Sequence, residues 1–458
     1  MTASDRPPAE LAIDEACADY DRVLERVESE TPGFCQALLD RLVAERASYA
    51  ARPICPFLRP NFVTQSQTEY VERVLGLFRS AVVKAKDAML ADPALFALAG
   101  LTDGERRLFD IDPGFRHIGI TTRIDTFLIG TQMRFVELNA ECPAGMHYGE
   151  TLARVFLDTP VMADFQTRFR LSRPNPADLL LQSLLATWAE WGGQGSPRVA
   201  VVDWKEVSTR TEFDLVCEHF QSAGLEAEFA DPRDLEFSGG RLRSGGKPID
   251  VVYRRLLTNE LLARESECRA LVTALEQRAV CLFNSFRAKL LHKKTLFAIL
   301  QDPRIMTLLS PDEAAVIRDC VPWTRLVREG KTDGPTGETI DLIEWARDHR
   351  EDLVLKPNDE YGGRGVVVGH NVEQDVWERA LAVGLADLSI VQQRVAVPTR
   401  DFPVLDDGRL AWSRRYVDFD PYLFRGRVGG YLTRLSASSL CNVTAGGGTT
   451  PTFVLDGC

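Results

Sequence analysis

LVLKPNDEYGGRGVVVG, residues 353–369, decides how the chain is read. An apolar strand (LVLK) delivers Lys356, a short polar turn follows, and a Gly-Gly-Arg-Gly loop leads into a second apolar strand (VVVG). Two β-branched runs joined by a glycine-bearing loop spell a hairpin. Glycine lets backbone amides approach an anion closely, and Lys356 and Arg364 add full charges to those dipoles. That combination suits a polyphosphate. It is neither the GK[ST] loop that opens a helix nor the GxGxxG dinucleotide turn. An ordinary hairpin with an exposed lysine fits the same residues equally well.

The surrounding chain narrows the choice. Its 458 residues are enough for two or three domains with a large core. Hydrophobic content of 45% and charged content of 26% are those of a globular protein. A net charge of −12 and a pI near 5.2 argue against nucleic acid or an anionic membrane as partner, but not against a small anion met by a local positive cluster. Ten cysteines occur without CxxC spacing beside six histidines, the pattern of reduced, buried thiols. The polar, acidic opening MTASDRPPAELAIDEACADYD differs from a signal or transit peptide, and no apolar run approaches a membrane span, so cytoplasm is the expected location.

Periodicity predicts a helical region over residues 1–110, with the strongest amphipathic helix at 70–90. Two alternating strands are expected at 118–128 and 133–138, joined near Gly130, and helices return over 150–192. Strands at 196–204 and 249–257, a helix at 213–223 and the short strand AEFADPRDL form a small parallel α/β unit. Residues 272–300 read as mostly helical and partly basic. The polar stretch 328–341 is a linker or mobile loop, and 404–455 is strand-rich with a glycine cluster at 445–448.

A second constellation lies far from the hairpin. Arg123-Ile-Asp125 and Glu137-Leu-Asn139 sit on the two early strands, and residues two apart on a strand share a face. An antiparallel pairing around Gly130 places Asp125, Glu137 and Asn139 together, three oxygen ligands of the kind that hold Mg²⁺ on a nucleotide. A solvated polar face on a half-exposed sheet accounts for the same three residues. A third cluster, YLTRLSASSLCNVTAGGG at 431–448, puts Arg434 on a strand ahead of Asn442. An arginine buried in a site stabilises charge on a transferring phosphoryl group; a surface arginine and a glycine turn fit as well. Cys142 has no histidine–carboxylate partnership, so packing explains it. Arg254 and Arg255 end a strand of the small α/β unit, where ligands bind in open sheets or solvent reaches the side chains.

Together these stretches resemble the ATP-grasp superfamily. Lys356 and the loop Tyr361, Gly362, Gly363, Arg364, Gly365 are similar to its lysine and phosphate-covering loop. Residues 390–395 (IVQQRV) resemble the hinge that cradles adenine, with Gln392, Gln393 and Val395 in contact, although an acidic residue is common where the glutamines stand. Asp401 is similar to the acidic residue after the hinge. Lys294 resembles the earlier phosphate lysine, with Lys289 and Lys293 as alternatives. Arg434 and Asn442 resemble the arginine and asparagine stretch. The run ELNAECPAG, 137–145, is similar to the metal motif, with Arg123 and Asp125 ahead of it.

The order differs, because the metal motifs come first and the phosphate-binding half last. This resembles the circularly permuted ATP-grasp family, relatives of the glutathionylspermidine synthase ligase domain. The implied fold is an α+β and α/β one: a permuted ATP-grasp with a small Rossmann-like domain before it and a helical N-terminal region. The implied domains are 1–110 (helical), 111–192 (core segment with metal motifs), 193–285 (small α/β), 286–400 (lid with Gly-rich hairpin) and 401–458 (core strands). Permutation makes one geometric demand: the strands around Asp125 and Glu137 must pack beside those around Arg434 and Asn442.

The resemblance implies an ATP-dependent carboxylate–amine ligase with one or two Mg²⁺ ions, working through an acyl phosphate. Its partners would be small-molecule or peptide carboxylates and amines. Lys294 and Lys356 would meet the ATP phosphates, Asp125, Glu137 and Asn139 the metal, and Arg434, Arg123 and Asn442 the reacting groups. His147 and Glu150, just past the metal motif, would meet the amine or begin a helix. A small-molecule kinase on the same site and a nucleotide-binding regulator without turnover are the alternatives.

Overall fold

The computed structural model describes residues 7–49, 52–439, 441 and 447–457. The helix Gln65–Ala91 begins at a capping box, with Thr64 and Gln67 satisfying each other's backbone amides. Its buried stripe runs from Val71 through Phe78 to Met89 and packs on a central sheet, where Phe78 meets Phe135 edge-on at 4.7 Å. The helices Pro8–Glu30 and Phe34–Ala44 bury a separate core around Tyr20, Leu24 and Phe62.

The central sheet joins the beginning and the end of the chain. Its strand order is Gly448–Thr450, Arg427–Ser436, Arg409–Phe424, Thr121–Ile129, Gln132–Asn139, with Thr399–Asp406 also paired to Arg409–Phe424. All these pairs are antiparallel. The two early strands match their expected positions and turn at Gly130, which adopts positive φ. Tyr422 pairs with Arg123, and Asp418 with Arg434, so the strands of Asp125 and Arg434 join one sheet, as expected for Arg434. A further link forms where Thr452–Leu455 runs parallel to Asn61–Thr64.

The small α/β unit is a four-stranded parallel sheet ordered Cys281–Phe283, Val251–Arg254, Arg198–Val202, Glu226–Ala230. The strand Cys281–Phe283 corrects the helical reading of 272–300. CLF is three fully buried residues inside an apolar run, so it shows no alternation to reveal it. Helix ends at Glu276 and resumes only as short turns after Ser285.

A fourth layer is the antiparallel sheet Thr324–Leu326, Ser389–Gln393, Leu353–Pro357, Val367–Val368. The hairpin of 353–369 is therefore real, although its second strand pairs over only Val367–Val368. The stretch expected as a loop at 328–341 contains a small hairpin, Lys331–Asp333 with Thr339–Asp341. Among the described residues no helix is long and apolar enough to cross a membrane.

One buried acid sits at the carboxyl end of the parallel sheet. Asp203 is 5% exposed and accepts from the Trp204 amide at 2.8 Å. Burial pushes its carboxyl from the ordinary 3.8 up to about 7. The folded state thus binds more protons than the unfolded chain across that window, and stability falls as pH rises through it. A displacement of that size corresponds to roughly 4 kcal/mol. Asp203→Asn keeps an acceptor for Trp204 but loses attraction to Arg255. It should therefore gain on the order of 2 kcal/mol at pH 8. The gain should shrink at pH 5, as read by urea denaturation at both pH values.

Candidate active site

Alternation on the two early strands does what the spacing predicts. Asp125 lies opposite Glu137 and Arg123 opposite Asn139. Asn139 Nδ2 donates to Asp125 Oδ1 at 3.0 Å and to Glu137 Oε1 at 3.2 Å, which turns its carbonyl oxygen away from both carboxylates. Arg123 grips Asp125 with Nε at 2.8 Å and Nη2 at 3.1 Å. Arg434, arriving from the last part of the chain, donates through Nη2 to Asp125 Oδ2 at 2.7 Å. Burial opposes ionisation of Asp125, but the two guanidiniums win and hold its carboxyl well below the usual range.

Two further acids complete this cluster and escaped the sequence reading. Asp418 and Asp420 stand two apart on the strand Arg409–Phe424 and are buried. Arg434 Nη2 lies 2.6 Å from Asp418 Oδ2 and 3.0 Å from Asp420 Oδ2. One arginine thus bridges three carboxylates. Burial raises both acids, and repulsion from Asp125 and Asp418 drives Asp420 well above the ordinary range. The period-2 spacing in RRYVDFDPYLF was the available signal, but its meaning required the register that sets Asp418 opposite Arg434.

The lysines approach from the other side. Lys356 Nζ donates to Val136 O at 2.9 Å and to Gln392 Oε1 at 2.8 Å. Burial lowers its pKa to about 8, against the pull of Glu137. Lys294 Nζ is 3.5 Å from Glu137 Oε2 and also donates to Glu360 O in the loop after Lys356. Burial opposes the charge on Glu137, yet Lys294 and Lys356 keep it below the ordinary range.

Lys289 and Lys293 are otherwise engaged. Lys289 pairs with Asp359 at 2.6 Å and with Glu141 at 3.0 Å; Lys293 pairs with Glu105 at 2.9 Å and Asp359 at 3.0 Å. Glu141 also receives Arg254 Nη1 at 2.9 Å, which makes Arg254 an internal strut rather than a ligand grip. Glu105, Glu141 and Asp359 were not singled out in the sequence, and no pattern there connects them.

Elsewhere the expected residues separate. Gly362, Gly363 and Gly365 all take positive φ, which glycine alone adopts easily. Tyr361 reaches Glu260 at 3.3 Å, with Arg364 over its ring at 4.9 Å. Gln392 is buried on Lys356, whereas Gln393 is exposed and lines a surface crevice with Trp345 and His349. Val395 follows that strand. Asp401 lies on Thr399–Asp406, paired with Arg414 at 3.0 Å, and the structure gives it no bond to the cluster. Asn442 lies outside the described residues. Burial lifts the Cys142 thiol to about 12, which suits packing rather than nucleophilic attack. Arg255 donates to Pro143 O at 2.8 Å.

For a divalent cation, Glu137 offers an oxygen beside Lys294, while the Asn139 carbonyl oxygen points away from it. Asp125, expected as a third ligand, is held by Arg123 and Arg434 instead. Among the described residues no three His, Cys, Asp or Glu side chains could hold a metal by themselves. The donor set therefore fits Mg²⁺ carried on a phosphate better than a metal held by protein alone.

No protein-family model matches the chain. A curated relative, a putative glutamate–cysteine ligase 2-2 of Frankia casuarinae, is 26% identical over 340 residues, covering 70% of this chain and 36% of the relative. The chain thus spans about a third of that relative's length. Among solved structures, a glutathione synthetase-like effector of Globodera pallida in apo form aligns at a TM-score of 0.55 and 12% identity. The alignment covers 92% of this chain and 97% of the other. That breadth shows a shared fold.

Arg434 is the member whose loss exposes most buried charge. Arg434→Met should destabilise the protein by about 3–5 kcal/mol at pH 7. The deficit should narrow at pH 5, where the orphaned carboxylates take up protons, as read by chemical denaturation of both proteins.

Proposed function

We propose that this protein is an ATP-dependent carboxylate–amine ligase built on a circularly permuted ATP-grasp fold. The observation that carries the reading is the meeting of R-x-D and E-x-N residues from the early strands with Arg434 from the late ones, opposite Lys294 and Lys356. The name of the Frankia relative and the fold shared with the glutathione synthetase-like effector support amide-bond formation as the outcome.

In this reading Lys294 and Lys356 bind the ATP phosphates, and the amides of Gly362, Gly363 and Gly365 cover them. The hinge strand borders the adenine through its Gln392 face, and Gln392 also orients Lys356, while Gln393 faces the opposite crevice. Glu137 would hold Mg²⁺, joined by Asn139 once its side-chain amide turns its oxygen toward Glu137, and the ion would supply charge neutralisation on the phosphates. Arg434 and Arg123, fixed by Asp125, Asp418 and Asp420, present positive charge where the substrate carboxylate attacks the γ-phosphorus. ADP leaves as the P–O bond breaks. The amine then attacks the acyl carbon, and phosphate departs with the C–O bonding pair. The glycine loop closes over the site so that water does not hydrolyse the acyl phosphate.

The test is incubation with ATP, Mg²⁺, a panel of amino-acid and peptide carboxylates, and hydroxylamine. An acyl hydroxamate with stoichiometric ADP is the expected product. A phosphorylated alcohol, or nucleotide binding without ADP release, would replace the ligase reading with the kinase or the regulator.

Lys356 supplies two more predictions. Lys356→Met should lower ADP formation about 100-fold or more, because a charge meant for the phosphates is removed. In the wild type, ATP affinity should fall as pH rises from 7 to 9. The free lysine sheds its proton near 8, and binding the anion then requires taking it back. Fluorescence titration with a nucleotide analogue reads this, and Lys356→Met should flatten the profile.

A further inference from the structure

Apart from the charge cluster, the molecule has a cleft of about 650 Å³. It lies between the helix Met146–Leu157, the helix Arg210–Ser222 and the segment leading into Pro176–Trp191. Its walls include His147, Glu150, Thr151, Arg173 and His219. His147 is only 4% exposed, yet its Nε2 has no hydrogen-bond partner. Buried polar atoms are rarely left so without a reason. Burial lowers this histidine to about 3, so the ring is neutral at physiological pH and offers one donor and one acceptor.

Next to it, Arg173 Nη1 donates to both oxygens of Glu150 at 2.8 Å. Their side chains are 23% and 18% exposed, so the pair is reached from the cleft. The remaining charges of the walls pair outward: Asp158 with Arg41 at 2.6 Å, Glu218 with Arg46 at 2.5 Å, and Arg154 with Glu45.

We propose that this cleft binds a zwitterionic amino acid or short peptide. The ligand's carboxylate sits on Arg173 and its ammonium on Glu150, beside the His147 wall. A ligand with one charge would match one half of the Glu150–Arg173 pair and strand the other in a poorly hydrated place. A zwitterion inserts between them and leaves both matched. The volume lies in the range of small-molecule sites and exceeds what one amino acid fills, which favours a peptide. The cleft uses none of the phosphate-facing residues and its binding test needs no turnover, although His147 and Glu150 are the residues that the ligase reading would set near the amine. It is nevertheless wired to the cluster. Glu212 Oε1 accepts from the Gly145 amide at 2.7 Å and the His147 amide at 3.3 Å, and the adjoining Ala144 O accepts from Arg123 at 3.4 Å.

The test is calorimetric titration of the full chain with glycine, L-glutamate and glycylglycine, and with the single-charge analogues N-acetylglycine and glycine methyl ester. At least one zwitterion should bind, and neither analogue should. Glu150→Gln should weaken binding by about tenfold or more, whereas Lys356→Met should leave it unchanged. Arg173→Lys and His147→Gln, milder changes that keep a charge or a polar atom, should weaken it as well if Glu150→Gln fails to fold. Absence of zwitterion binding, equal binding of the analogues, or binding lost in Lys356→Met but retained in Glu150→Gln would overturn the proposal.

Discussion

A single guanidinium joins the two ends of this chain. Arg434 touches Asp125, Asp418 and Asp420, and Arg123 takes the other side of Asp125. Buried charges are tolerated only when they are matched closely and in number. Two arginines stand against three carboxylates, and burial with mutual repulsion raises Asp418 and Asp420, which eases the imbalance. The central sheet closes with Thr121–Ile129 beside Arg409–Phe424, the register that brings these charges together. The hydrophobic core supplies most of the stability, while this cluster supplies the address at which distant strands meet.

What was legible in the sequence follows from how local each signal is. Arg123, Asp125, Glu137 and Asn139 lie on a single hairpin, so period-2 alternation alone placed them together. The glycine loop and Lys356 were readable for the same reason. Asp418 and Asp420 depend on pairing with a strand sixteen residues away for one (Arg434) and about three hundred away for the other (Arg123), and no local pattern encodes such register. Glu141 hides in an irregular loop, where side-chain direction has no period. Three lysines at 289, 293 and 294 looked equivalent as letters; only the positions of Glu105, Glu141 and Asp359 divide them. The strand Cys281–Phe283 was lost because a fully buried parallel strand resembles any apolar run.

The division among the lysines also explains an asymmetry in exposure to ligand. Lys289 is matched by three acids and Lys293 by two, so their charge is spent inside the protein. Lys294 and Lys356 share only Glu137, against which they are in excess. A site with surplus positive charge and partly dehydrated lysines is one that an anion improves. In the proposed reading, the contrast between the two pairs is what suits this face of the molecule to phosphate.

Asp359 has a mechanical consequence. It sits three residues past Lys356, at the base of the glycine loop, and is clamped by Lys289 and Lys293, which are themselves anchored to Glu141 and Glu105. That rivet fastens the root of the loop to the small parallel sheet, because Arg254 grips Glu141 from within it. Whatever swings over a bound molecule must do so beyond position 359, as a short flap on a fixed mount rather than as a whole lobe turning at its stem.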